Sequence, residues 1–130
     1  MPNYNYDHIH LVSPDAVKTA EFYERMFNAK RVSVREAGPG LVSVVLDLNG
    51  SRVLIKPGNI KTEAISGSSD PAHGLEHFGI ETDDLETAVT ELKAKGVKFR
   101  DEIREIRPGT KISFFWAPEN VLVELLERSS

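Results

Sequence analysis

The chain repeats itself, and this internal repeat is the feature that most constrains its fold. The first copy opens with His8-Ile9-His10, and its helical stretch ends at Asn28. The second copy opens with His77-Phe78-Gly79 and its helical stretch ends at Gly96, so matching positions lie 68 or 69 residues apart. A repeat of this length indicates two copies of one supersecondary unit, which bury a core by packing on each other or on a partner. The positions at which the copies differ are therefore the first candidates for chemistry.

Composition narrows the classes of function. The 130 residues suffice for one domain of ordinary size, and the net charge of −4 with scattered Lys and Arg predicts no nucleic-acid partner. We expect no membrane association and a cytoplasmic location, because no apolar stretch is long enough to span a membrane and the N-terminus does not resemble a signal peptide. The chain has no cysteine, which excludes disulfides, thiolate metal sites and cysteine nucleophiles.

The first copy predicts the order strand, helix and three strands. Alternation over residues 6–12 predicts a strand, and Ser13-Pro14-Asp15 predicts a helix start with Ser13 as the N-cap. A second strand is predicted over residues 30–35. Residues 41–48 and 52–56 then predict a hairpin around Asn49-Gly50, the strongest turn signal in the chain.

The second copy predicts the same order. A strand is expected over residues 75–82, a helix over 83–95 with Asp83 and Glu86 as a capping box, and strands over 97–103, 111–116 and 121–126. The predicted class is α+β, with two tandem βαβββ modules at about residues 5–57 and 74–128 forming a curved, cleft-bearing mixed sheet in a single domain over 1–130. The polar segment over about 58–73 is expected to be a linker or a lid.

Two histidines and one glutamate are the first candidates for chemistry. His8 and His10 lie two positions apart in a predicted strand, so their side chains share a face. Glu124 lies in the apolar run 121–126, where a carboxylate is costly to bury unless it is paired or bound to a metal. With His77, the set can bind a divalent ion and leave positions open for substrate, which is typical of catalytic metal sites. The alternatives are packed or solvated histidines, and a Glu124 that pairs with an arginine.

Three stretches carry a resemblance to a known family. They are residues 7–9 with 21–23, residues 74–85, and residues 121–125. On these stretches and the repeat, the chain resembles the vicinal-oxygen-chelate superfamily, which includes glyoxalase I, methylmalonyl-CoA epimerase, extradiol dioxygenases, fosfomycin-resistance enzymes and bleomycin-binding proteins. The resemblance implies the glyoxalase-like fold, a homodimer, and one divalent metal ion (Zn, Ni, Co, Mn or Fe) with ligands His8, His77 and Glu124.

The resemblance is nearest to the methylmalonyl-CoA epimerase and glyoxalase I branch, with one departure. Those branches place a fourth ligand, Glu or Gln, on the last strand of the first module. Here that position falls at Val53, which cannot bind a metal. A set of two histidines and one glutamate also resembles the iron site of extradiol dioxygenases and the manganese site of fosfomycin-resistance enzymes.

Several further residues are candidates around such a site. His10 is interpreted as a general base, a fourth ligand or a packed histidine. Glu36 is either an aid to proton transfer or a solvated loop carboxylate. Val53, Phe114 and Trp116 are expected to line a substrate pocket, with the alternative that the aromatic rings belong to the core.

The sequence thus predicts a metal-dependent enzyme that binds oxygens of a small oxygenated metabolite. Its reaction would be of the isomerase, epimerase or lyase type, with Glu124, His10 and Glu36 as candidate catalytic residues. The alternatives are an Fe(II) extradiol-type dioxygenase and a non-catalytic drug-binding or small-molecule-binding protein of the same fold.

Overall fold

The structure, a computed structural model, describes residues 6–57 and 75–129. The chain divides into two compact units, Met1–Ala64 and Ile65–Ser130. In the described residues, each unit contains one α-helix and one four-stranded sheet in the order βαβββ, which confirms the predicted α+β class and the tandem modules. The segment predicted as a linker or lid lies outside the described residues. No helix in the described ranges is both long and apolar enough to cross a membrane.

The two units have the same sheet topology. The strand order is β1-β4-β3-β2 in the first unit and β5-β8-β7-β6 in the second. In each unit the first and last strands pair in parallel, and the other neighbours are antiparallel. The elements are β1 (His8–Ser13), α1 (Ala16–Phe27), β2 (Lys30–Gly38), β3 (Leu41–Leu48), β4 (Ser51–Pro57), β5 (Phe78–Glu81), α2 (Leu85–Ala94), β6 (Arg104–Arg107), β7 (Thr110–Ala117) and β8 (Val121–Arg128).

Helix α1 begins later in the chain than predicted. Its N-cap is Asp15, whose side chain accepts a hydrogen bond from the backbone N–H of Lys18 at 3.1 Å. Ser13 was the predicted cap, but its hydroxyl is buried and bonds to the hydroxyl of Thr19 at 2.7 Å. The predicted end of the helix is confirmed, because Asn28 adopts the left-handed conformation with φ 58°.

Helix α2 is displaced by one residue from the predicted capping box. Asp84 is the N-cap and accepts a hydrogen bond from the backbone N–H of Thr87 at 3.1 Å, so the prediction of Asp83 in this role was wrong. That hydrogen bond lowers the pKa of the Asp84 carboxyl. The N–H of Leu85 also donates to the Glu127 side chain at 2.8 Å, which ties the start of the helix to β8.

Each sheet has one face covered by the helix of its unit. In the first unit the Ser13–Thr19 hydrogen bond shows that the odd-numbered residues of β1 point toward α1. The ladder places Val53 and Ile55 beside Ile9 and Leu11, on the same side. In the second unit the predicted apolar stripe of α2, which consists of Leu85, Val89 and Leu92, is buried. The sheet residues Phe115, Val123 and Leu125 are buried as well. We call the opposite side of each sheet its open face.

One predicted strand is wrong. Residues 97–103 were expected to form it, but only Phe99 makes a bridge, to Phe115, and the strand β6 follows at Arg104–Arg107. The chain turns at Asp101, whose carboxylate accepts the N–H of Phe114 at 2.9 Å and whose carbonyl accepts the hydroxyl of Ser113 at 3.0 Å. The true edge strand is exposed along its whole length, so it carries no hydrophobic alternation to be recognised in the sequence.

Candidate metal centre

Glu124 and His77 come together on the open face of the second unit. Glu124 lies in the middle of β8, between Phe114 on β7 and Gly79 on β5. Its side chain is only 19% exposed, and its Oε1 lies 3.7 Å from Nε2 of His77. The structure therefore brings together the two ligands that were predicted in the second module.

Gly79 leaves the space that the Glu124 carboxylate fills. A Cβ atom at this position would lie 3.4 Å from Oε1 of Glu124 and 3.2 Å from Cδ2 of Leu126. The backbone of Gly79 does not adopt a positive φ, so glycine is not required there for its conformation. Its role in this strand is steric, because a side chain would crowd Leu126 and contact the carboxylate.

Both repeat histidines are held by the acidic residue that precedes them. Nδ1 of His77 lies 2.9 Å from Oε1 of Glu76, and Nδ1 of His8 lies 2.6 Å from Oδ2 of Asp7. Because a carboxylate only accepts hydrogen bonds, the neutral imidazole donates through Nδ1 and keeps the lone pair of Nε2. Metal-binding histidines are typically oriented in this way. Neither Asp7 nor Glu76 was predicted to have this role, although an acid before each repeat histidine was the signal for it.

The surroundings of Glu124 are apolar. Four buried side chains form a cluster against which Trp116 packs: Ile112, Phe114, Leu122 and Leu126. The His77 ring meets Phe114 edge-on at a centroid distance of 5.1 Å, and the Arg100 guanidinium lies 4.5 Å from the centroid of the same ring. Phe114 and Trp116, which were expected in a substrate pocket, thus share the open face with Glu124. An apolar environment strengthens electrostatic interactions at the carboxylate.

His8 and His10 share the open face of the first unit, as their spacing predicted. Their rings lie 5.9 Å apart in a T-shaped arrangement. Partial removal from water lowers the pKa of His10 below its ordinary value, and the positive charge of Lys56 and that of His8 when it is protonated lower this pKa further. The lowered pKa favours the neutral imidazole, the form that can accept a proton.

The ladder corrects the position that corresponds to Glu124 in the first unit. Ile9 pairs with Val53 as Phe78 pairs with Val123, so Val53 matches Val123 rather than Glu124. Val53 is 3% exposed and faces α1, which removes it from the open face where a pocket residue was expected. The residue that matches Glu124 is Leu54, which lies opposite His10. Leu54 also lacks a donor atom, so the departure from a four-ligand pattern remains.

Glu36 lies on the other side of its sheet from the histidines. It pairs with Val42 in the same ladder in which Val34 pairs with Val44, and Val44 is fully buried on the side of α1. Because side chains alternate along a strand, Glu36 points to that side as well. It belongs to β2 rather than to a loop, and within the first unit it does not share a face with His10.

The chemistry of the residues in the second unit fits a divalent ion. Two ligands that are each about 2.1 Å from one ion lie about 3.0–3.4 Å apart, and the 3.7 Å between Nε2 and Oε1 exceeds this by a few tenths of an ångström. Imidazole and carboxylate donors suit Zn, Mn, Fe, Co and Ni. Among the described residues of this unit, no third histidine or carboxylate completes a group of three.

Comparisons with known proteins match almost the whole chain. The family model of the Glyoxalase/Bleomycin resistance protein/Dioxygenase superfamily matches residues 5–125. The mitochondrial methylmalonyl-CoA epimerase of Homo sapiens is 30% identical over 128 residues, which cover 92% of this chain and 71% of the relative. The lactoylglutathione lyase of Schizosaccharomyces pombe is 24% identical and covers 99% of this chain, which spans 49% of that relative.

A solved structure shares the fold at low identity. It is a mutant of the genomically encoded fosfomycin resistance protein FosX from Listeria monocytogenes, in complex with Mn(II) and 1S,2S-dihydroxypropylphosphonic acid. Its TM-score is 0.74 with 20% sequence identity, and the match covers 95% of this chain and 92% of that one. At this identity the match supports the architecture alone.

Proposed function

The chain belongs to the Glyoxalase/Bleomycin resistance protein/Dioxygenase superfamily, and from this membership we propose that it is a divalent-metal-dependent enzyme. Its substrate is a small oxygenated metabolite, and its reaction is an isomerisation, an epimerisation or a lyase reaction. One observation carries the proposal: His77 and Glu124 converge to 3.7 Å while Glu76 fixes the other nitrogen of His77. The relatives include an epimerase and a lyase, and FosX has been crystallised with Mn(II).

The proposed ligands are Nε2 of His77, the carboxylate of Glu124 and, as the family resemblance implies, His8. A divalent ion held by these residues would polarise a substrate oxygen and stabilise the negative charge that develops on it. Glu76 and Asp7 keep the two histidines in the tautomer that offers Nε2. His10, which shares the open face of the first unit with His8, is the proposed base that takes a proton from the substrate carbon.

Metal content and affinity test this proposal. Purified protein loaded with Zn, Mn, Fe, Co or Ni should retain about one ion per chain after dialysis. Glu124→Ala and His77→Ala should retain none, whereas Glu105→Gln, an exposed carboxylate on β6 of the same unit, should bind as the wild type does. Glu76→Ala keeps every proposed ligand and should weaken affinity by about 10- to 100-fold.

Each outcome of that experiment has a distinct meaning. Loss of bound metal from Glu124→Ala and His77→Ala, but not from Glu105→Gln, supports the site. The metal that restores turnover then indicates which class of reaction to assay. Retained iron together with oxygen consumption would instead assign an extradiol-type dioxygenase. Full turnover after exhaustive chelation would refute metal dependence.

A second candidate function is non-catalytic binding of an apolar small molecule. The observation that favours it is the apolar cluster around Glu124 on the open face of the second unit. A protein that binds such ligands with equal affinity before and after chelation, and turns over none of them, would be a binder. We also propose a homodimer, for which light scattering of the purified protein gives the test.

A further inference from the structure

The open faces of the two units differ in a regular way. Because Val53 matches Val123, the alternating residues of β4 and β8 can be compared position by position. The first unit presents a cation, an apolar residue and a cation, whereas the second presents an apolar residue, an acid and an apolar residue. The matched sets are Arg52, Leu54 and Lys56 in β4, and Leu122, Glu124 and Leu126 in β8.

Arg35, Ser43 and Lys56 lie on three neighbouring strands of the first unit. Arg35 on β2 pairs directly with Ser43 on β3. The paired ladder of β3 and β4 ends at Val44 and Ile55, and Ser43 and Lys56 are the residues that adjoin this last pair. Val44 and Ile55 are buried toward α1, which places their neighbours on the open face. Directly opposite residues have Cβ atoms about 5 Å apart, so the three side chains can reach one small group.

The two cations of this set have no carboxylate partner among the described residues. Neither Arg35 nor Lys56 forms an ion pair within residues 6–57 and 75–129, whereas Arg31 pairs with Glu24 at 2.7 Å. Asp47 is the one acid among the open-face positions of β1 to β4, the four strands described in the first unit. Its carboxylate accepts the backbone N–H of Gly50 at 3.1 Å, at the far end of β3 from Ser43. Two unpaired cations on either side of β3 repel each other, and an anion bound between them relieves that repulsion.

We propose that Arg35, Ser43 and Lys56 form a binding site for an oxyanion of the substrate, a carboxylate or a phosphate group. The guanidinium offers a planar pair of donors, the ammonium a point charge, and the hydroxyl a neutral donor between them. The matching positions of the second unit are Arg104, Ile112 and Leu126, which cannot provide this combination. This proposal rests on the proposed function and extends it, because a substrate that binds at such a site would be an anion.

Anion titration of the metal-free protein tests the site without the metal. The chelated wild type is titrated with pyrophosphate and separately with malonate, and binding is followed by backbone amide NMR. We expect one millimolar-range site whose shifts fall on β2, β3 and β4, and which weakens as salt is raised. Arg35→Gln and Lys56→Gln should each weaken it about tenfold, and Ser43→Ala by less. The control is Lys18→Gln, which removes an exposed cation from α1 and should change nothing.

The outcomes separate this proposal from the metal proposal. Tighter pyrophosphate binding identifies a phosphate-bearing substrate and tighter malonate binding a carboxylate-bearing one, and either supports the site. The site would be overturned by an equal loss of anion affinity in Lys18→Gln, by amide shifts confined to other strands, or by binding that does not saturate with either anion. Arg35→Gln and Lys56→Gln should keep the wild-type metal content. A wild type that retains none of the offered metals, yet still binds anions through these residues, would refute the metal proposal alone.

Discussion

Replacing Gly79 by alanine tests how the second unit positions Glu124. The new methyl group would stand 3.2 Å from Cδ2 of Leu126, which must move by a few tenths of an ångström, and 3.4 Å from Oε1 of Glu124, at the close limit of ordinary contact. The strand itself tolerates a Cβ, because the φ of Gly79 is not positive. Lower entropy of the unfolded chain stabilises the variant by about 0.4–1 kcal/mol, and overpacking costs about 1–3 kcal/mol. The expected net loss of unfolding free energy is about 1 kcal/mol.

Crowding of Leu126 beside the carboxylate makes metal affinity the sensitive readout. We expect the dissociation constant of the bound ion to rise by about tenfold, as for changes that misorient a ligand without removing it. Stability is measured by urea unfolding, followed by the fluorescence of Trp116, the single tryptophan of the chain. Metal affinity is measured by competition with a chelator. Unchanged affinity would refute the steric role of Gly79, and a stability loss above about 3 kcal/mol would show that the strand does not accept a side chain.

Three further changes have defined outcomes. Phe115→Ala removes a fully buried ring and should lower the unfolding free energy by about 3–5 kcal/mol in urea; a loss under about 1.5 kcal/mol would contradict its place in the core. The NMR titration of His10 should have its midpoint below pH 6.5, and Lys56→Gln should raise that pKa, because a nearby positive charge disfavours the imidazolium; an unmoved midpoint would contradict the contact. Asn28→Ala should cost about 1 kcal/mol by thermal unfolding while Asn28→Gly is nearly neutral, because φ is 58° there; equal losses would contradict a conformational cause.

Local signals in the sequence were sufficient for most of the fold. Asn49-Gly50 predicted its hairpin because both residues must adopt positive φ, and they do, at 51° and 100°. The edge strand at Arg104–Arg107 could not be predicted in the same way. Its residues are all exposed, and its place depends on hydrogen bonds from the distant Phe114 and Ser113 to Asp101.

The candidate site depended on register, and there the prediction was wrong by one residue. The repeat offset is 69 at His8 and His77 but 70 at Leu54 and Glu124, so one inserted residue lies between them. A shift of one residue moves a strand side chain to the opposite face. Pairing of strands distant in the chain reveals such a shift, and counting along the chain from the histidine does not. From Glu124, the histidine offset of 69 leads to Ile55 and the assigned Val53 implies an offset of 71, so each misses Leu54 by one residue.

The alternation of faces along each strand has an evolutionary consequence. Residues that pack on the helix and residues on the open face occupy alternate positions, so most substitutions affect only one of the two roles. After a duplication, one copy can exchange a residue such as Leu54 for one such as Glu124, while the helix-facing neighbours Val53 and Val123 keep the hydrophobic core. Substitutions on the open face of such a sheet can change what the protein binds while its stability changes little.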